Sequence, residues 1–79
     1  MIKLEKITYV RKGKGQHWNL QEKEYIDDYS VSLFQERIVA GVGFFRGLGG
    51  TERVSRSEFR VTSISPDNTI KVIYQLVFE

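Results

Sequence analysis

The sequence predicts an all-β fold: a single small antiparallel barrel or a strongly curled sheet of about five strands. Three observations carry that expectation. Residues Ile70, Val72, Tyr74, Leu76 and Phe78 alternate with their neighbours over a run rich in β-branched and aromatic side chains, the period of a strand. Turn residues punctuate the chain at Ser65-Pro66-Asp67-Asn68 and at Gly47-Leu48-Gly49-Gly50, with chemistry suited to tight or irregular backbone. The chain has 79 residues and no cysteine, so one thin core must hold it without disulfides or thiolate zinc. A dense β core or self-association supplies what is missing. We therefore expect one domain over residues 1–79 and a homo-oligomer.

The last strand, Thr69–Phe78, has Ile73 and Val77 on its second face, so a central or covered position is expected. The preceding turn has proline where a type I turn wants it and asparagine where a left-handed residue follows. It joins the last strand to a strand over Glu58–Ile64. Turn chemistry alone sets Arg60 opposite Tyr74. The apolar pattern instead sets Phe59 opposite Tyr74 and Val61 opposite Val72, and burial favours this second register. The first strand runs Ile2–Val10. Ile2 and Leu4 share one face and Ile7 and Tyr9 the other, which predicts a bulge near Glu5-Lys6.

The middle of the chain reads in two ways. Apolar and serine residues alternate over Tyr29–Leu33, and Ile38, Ala40, Val42 and Phe44 share a face, as in two strands. The competitor is an α+β fold with a short helix around 32–42. Ser32 and Gln35 have capping-box spacing, and Val31, Phe34, Ile38 and Val42 form a helical stripe. Gly41, Gly43 and the β-branched residues favour the strands. Arg11–Gln21 and Arg46–Ser55 read as loops.

The formal charge is +2, too small to mark a nucleic-acid binder, but it is unevenly distributed. Lys3, Lys6, Arg11, Lys12 and Lys14 face only Glu5 in the first twenty residues, whereas Glu22, Glu24, Asp27 and Asp28 cluster around Lys23. Such patches steer partners or pair subunits. The N-terminus lacks the apolar run of a signal peptide. No stretch approaches the length of a membrane-spanning helix. A cysteine-free chain fits the cytoplasm.

Two basic, glycine-containing loops are the candidate ligand sites. Arg11-Lys12-Gly13-Lys14-Gly15-Gln16-His17-Trp18 combines cations with the only tryptophan. Its glycines let backbone approach a phosphate, and Trp18 offers a stacking face. The plainer reading is a hairpin tip whose tryptophan folds onto the core. Arg46–Arg53 with Arg56 is the second loop. It lacks the glycine–lysine–serine/threonine ending of a P-loop, and the overlapping Gly41–Gly47 run has one residue too many for the dinucleotide fingerprint, with no βαβ unit around it. Arg56, Glu58 and Arg60, if in one strand, share a side as a basic stripe or a salt-bridged face. Asp27 and Asp28 point apart in a strand, so paired-carboxylate or metal chemistry is not expected. His17 is the sole imidazole, with no partner at triad spacing.

The expected function is a non-enzymatic small binding protein for an anionic ligand, nucleic acid or nucleotide, through Arg11, Lys12, Lys14, Trp18, Arg53 and Arg56. No catalytic residue, metal or cofactor is implied. The alternative is a protein–protein interaction module, a small inhibitor or adaptor, working through an edge strand and charged patches.

Overall fold

The computed structural model of the chain describes residues 1–39 and 53–79. Five strands form one antiparallel sheet: β1 (Ile2–Val10), β2 (Asn19–Ile26), β3 (Arg53–Ser57), β4 (Arg60–Ile64) and β5 (Ile70–Phe78). Their order is β2-β1-β5-β4-β3. Among the described residues the sheet is not closed, with β2 and β3 at its edges; the fold is a small, mostly β fold with one short helix. No helix among the described residues is long and apolar enough to cross a membrane.

The first and last strands lie side by side at the centre. β1 pairs with β5 without interruption, from Ile2 opposite Phe78 to Val10 opposite Ile70. Backbone hydrogen bonds between Met1 and Glu79 extend that ladder, and Lys3 pairs with Glu79 at 3.3 Å. The expected bulge at Glu5-Lys6 is absent from this ladder. Leu4 and Ile7 are both buried because β1 is central and uses both faces, so no phase change is needed. The irregularity falls instead between Thr8 and Tyr9, on the β2 side.

One face of the sheet carries the main core. Leu4, Val61 and Leu76 pack there against Phe34, with Ile2, Tyr29, Val31, Ile38, Val54, Phe59 and Tyr74 around them. Phe34 arrives on a helix, which corrects the strand expected over 29–33. Ser30 caps α1 (Val31–Leu33) by accepting the Leu33 N–H at 3.3 Å, and a π-helical turn continues over Phe34–Val39. The cap is Ser30, not the Ser32 of the capping-box spacing. Two causes favour helix. An N-cap satisfies an end donor, and the 3.6 period lays Val31, Phe34 and Ile38 on one stripe. The glycines that argued for strands lie beyond Val39. The remainder of the expected strand over 38–45, and the glycine-rich segment 46–52, fall outside the described residues.

Two strands reach into the ends of the segments expected as loops, Arg11–Gln21 and Arg46–Ser55. Asn19–Ile26 holds much of the acidic segment yet pairs along β1; the ladder offered by a central strand outweighs the weak strand preference of Glu and Lys. All its residues are exposed. Arg53–Ser57 pairs with β4 through a turn at Glu58-Phe59. Glu58 therefore leaves the strand, and the Arg56-Glu58-Arg60 stripe does not form. The Gln35 side-chain amide donates to the Glu58 carbonyl, and the Phe59 ring meets Phe78 edge-on at 5.1 Å.

The β4–β5 register is neither of the two expected. Val61 faces Tyr74 and Ser63 faces Val72, two residues from the register the apolar pattern favoured. A shift of two keeps every side chain on its face, so Val61 still reaches the core. The turn sets the offset. Asn68 N donates to Ser65 O and Ser65 N to Ile70 O, both at 2.9 Å, and Asn68 takes the left-handed backbone at φ 63. Proline and asparagine thus have their expected roles in a loop one residue longer.

Candidate functional site

β1 ends, and β2, β3 and β5 begin, at one end of the sheet. The Arg11–Trp18 loop, the Ser65–Thr69 turn and the entry to β3 gather there. β1 and β3 stand three strand spacings apart, about 14 Å.

The turn supplies the fixed element. Asp67 Oδ1 accepts hydrogen bonds from the Ser65 hydroxyl (2.6 Å), the Thr69 hydroxyl (2.6 Å) and the Thr69 N–H (3.1 Å). These bonds, the Ser65 one foremost, hold its carboxyl below the usual range because they favour the charged form. The Ser65 hydroxyl in turn accepts the Ile70 N–H at 3.0 Å.

Arg11 docks on this turn. Its N–H donates to Thr69 O at 2.9 Å and its Nε to Asn68 O at 2.7 Å. Nη1 reaches Gln16 O at 3.5 Å, across a turn closed by Gln16 N on Gly13 O. Gly15 holds φ 88 in that turn, the left-handed position of a type II turn that glycine fills without strain. The chain then returns through Trp18, whose ring lies 4.0 Å from the Arg11 guanidinium carbon.

The fourth member comes from the other end of the sequence. Lys71 stands opposite Tyr9 on β1 and Ile64 on β4, on the face turned away from Phe34 by strand alternation. Its Nζ lies 4.8 Å from the Trp18 ring centre and 4.9 Å from that of Tyr9. Burial first, then the charges of Arg11 and Arg60, pushes the Lys71 ammonium below its ordinary value. Among the described residues no carboxylate pairs with Arg11, Lys71 or Arg60. Aromatic faces attract these cations but do not neutralise them. Positive charge is concentrated here without a local counter-ion.

The expected site residues divide. Arg11 and Trp18 meet. Lys12 and Lys14 are exposed on the same loop. The Arg53 backbone pairs with Ile64, in the cross-strand row that continues through Lys71 and Tyr9. Arg56 pairs with Val61 and so belongs to the face that carries the core, away from Trp18. Tyr9 and Lys71 were not among the expected binding residues. Their convergence depends on β1 pairing with β5, which no local pattern announces.

The acidic residues sit elsewhere. Glu22 and Glu24 share a face of β2, and hydrogen bonding to Glu24, reinforced by its charge, holds the Glu22 carboxyl above its ordinary value. Asp27 and Asp28 form the bend after β2, with Asp28 left-handed at φ 53. No grouping of His, Asp and Glu able to hold a metal occurs among the described residues. Glu5, buried on β1, accepts from the Gln75 amide and raises the Tyr25 hydroxyl pKa through their hydrogen bond.

The chemistry open to the Arg11–Lys71 cluster is recognition of an oxyanion: a planar guanidinium and a compact ammonium offer several N–H donors to one charged group. Comparison with models of protein families, with curated proteins and with solved structures yields no match.

Proposed function

We propose that the protein is a non-enzymatic cytoplasmic binder of an anionic ligand, nucleic acid or nucleotide, held at the Arg11–Trp18–Lys71 end of the sheet. One observation carries this reading: Arg11 and Lys71 approach the same Trp18 ring, at 4.0 Å and 4.8 Å, and neither pairs with a carboxylate among the described residues. A surface that concentrates like charge around aromatic rings attracts phosphate and repels other cations. Lys12 and Lys14 extend the positive field from the loop. Arg56 plays no part in it. The test is a titration with single-stranded oligonucleotide and with mononucleotide at low salt, read by the fluorescence of the sole tryptophan and by melting temperature. Binding that weakens steeply as salt rises supports the reading; an unmoved melting temperature with both ligands ends it.

A second reading rests on β2. Its eight residues are exposed and it lies at a sheet edge, which suits addition of a strand from a protein partner. The homo-oligomer expected from the thin core belongs to this reading. Self-pairing centred on Lys23, about a twofold axis normal to the sheet, sets Lys23 against itself and Glu22 against Glu24 of the second copy. Like charges directly opposite are unfavourable, so this edge suits a basic strand from another protein better than its own copy. Light scattering distinguishes the cases: Glu22→Lys would turn the Glu22–Glu24 repulsion of that register into attraction, so a dimer that this variant leaves no tighter excludes β2 as the self-association edge.

A further inference from the structure

The reading above leaves open whether a base or a phosphate is recognised. The Trp18 ring already carries a guanidinium at 4.0 Å and an ammonium at 4.8 Å. The first distance is that of stacked planes. A base seeking this ring must displace cations that the ring's negative face attracts. Those cations are also tied from behind. Arg11 is held by Asn68 O through Nε, which leaves Nη2 without a partner among the described residues. Lys71 is fixed by a β5 backbone paired on both sides, and its Nζ lies 4.9 Å from the Tyr9 ring. Tryptophan in this arrangement orients two donors. It is the support of the site, not its ligand platform.

We infer that Arg11 and Lys71, aligned by Trp18 and Tyr9, form a phosphate clamp that binds nucleic acid by its backbone and is indifferent to the bases. The inference rests on the anionic-ligand reading and narrows it to the phosphodiester group. Two properties follow from the geometry. The Arg11 guanidinium carbon and Lys71 Nζ lie 4.0 Å and 4.8 Å from the same ring centre; in the clamp one phosphate meets both cations and relieves their repulsion. Losing Lys71 then removes about one phosphate contact, and with it about one unit of salt dependence.

The experiment compares two probes of equal length, an oligothymidylate and an abasic deoxyribose-phosphate oligomer, by calorimetry on wild type and on Lys71→Met. Methionine keeps the apolar stem and removes only the charge. The clamp requires that both probes bind wild type within about threefold of each other, and that Lys71→Met weakens both about tenfold. If the abasic oligomer binds tenfold or more weakly than oligothymidylate, bases are being stacked; the phosphate clamp is then wrong and the nucleic-acid reading survives. If both bind but Lys71→Met changes neither, the anion site lies elsewhere on the surface and the assignment fails. If neither probe binds, the anionic-ligand reading falls and the clamp falls with it. Near-ultraviolet circular dichroism of Trp18 in the variant verifies that the surrounding fold is retained.

Discussion

The two faces of the sheet are built from the same strands by opposite rules. On one, Leu4, Val61 and Leu76 close over Phe34, which has no exposed surface at all. On the other, at the end where β5 begins, Lys71 and Tyr9 meet Arg11 and Trp18, and all four remain partly accessible. One face gains free energy by excluding water. The other holds like charges near one another, against their mutual repulsion, and relies on aromatic rings and a hydrogen-bonded turn to keep them in place. The first is the arrangement of a folding core. The second is the arrangement that the proposed anion would complete.

The sharpest way to break the comparison is at Phe34. Among the described residues it is the large, fully buried core side chain that the helix contributes. Truncating such a ring costs about 3–5 kcal/mol, close to the whole net stability of a domain this small, on the order of 5 kcal/mol. Phe34→Ala should leave the chain largely unfolded at room temperature by circular dichroism, with ligand binding lost along with the fold. A cooperative melt close to wild type would show that the helix is an ornament on the sheet rather than half of its core.

A smaller effect belongs to the turn that anchors Arg11. Asn68 is left-handed, a conformation that costs most side chains about 1–2 kcal/mol. Asn68→Ala should destabilise by about 1 kcal/mol and Asn68→Gly by less, since glycine takes that backbone freely. Equal losses in the two variants would mean that side-chain contacts, not backbone angle, set the cost. Acid should act on the same turn. The Asp67 carboxyl titrates below its ordinary value when folded, so its contribution is present above the ordinary carboxylate range and is lost as pH falls through the folded value. Asp67→Asn should flatten that acid limb in a melting-temperature series; an unchanged limb would assign it to other carboxylates.

These elements differ in how much of them the sequence discloses. β5 is legible almost to the residue, because strict alternation of Ile70, Val72, Tyr74, Leu76 and Phe78 admits no other regular structure. The roles of Pro66 and Asn68 are legible because their backbone preferences are local. β1 is legible in extent but not in shape: a strand buried on both faces looks like one with a bulge. The helix is misread because serine and β-branched residues at Tyr29–Leu33 satisfy a period of two, while the N-cap at Ser30 and the burial of Phe34 are settled by packing. β2 hides behind its charge, since the pairing comes from β1 and not from Glu22 or Glu24. The candidate site is half legible for the same reason. Arg11 and Trp18 are close in sequence and share a loop; Lys71 is sixty residues away from Arg11 and joins them only through the β1–β5 ladder.

The smallest expected effect separates the two faces most cleanly, because its sign differs between stability and binding. Lys71 is held below its ordinary value by burial, Arg11 and Arg60. The folded state therefore releases its proton more readily than the unfolded chain does. Between the folded value and the ordinary lysine value, stability rises with pH; below that window the full unfavourable contribution of the charged ammonium is present, including at neutrality. Lys71→Met removes it. The side chain is partly accessible and the gain is small, about 0.5 kcal/mol, or about 2–4 °C in Tm. At neutral pH the free variant should melt slightly above wild type, and the alkaline rise in wild-type stability should flatten. With saturating oligothymidylate the order should reverse, because the ligand stabilises the form that binds it more tightly. A core lysine stem whose charge is incidental would give the first result without the reversal; a structural cation would give a loss in both conditions. The crossing of the two melting curves is what a charge kept for a ligand, at some cost to the fold, has to produce.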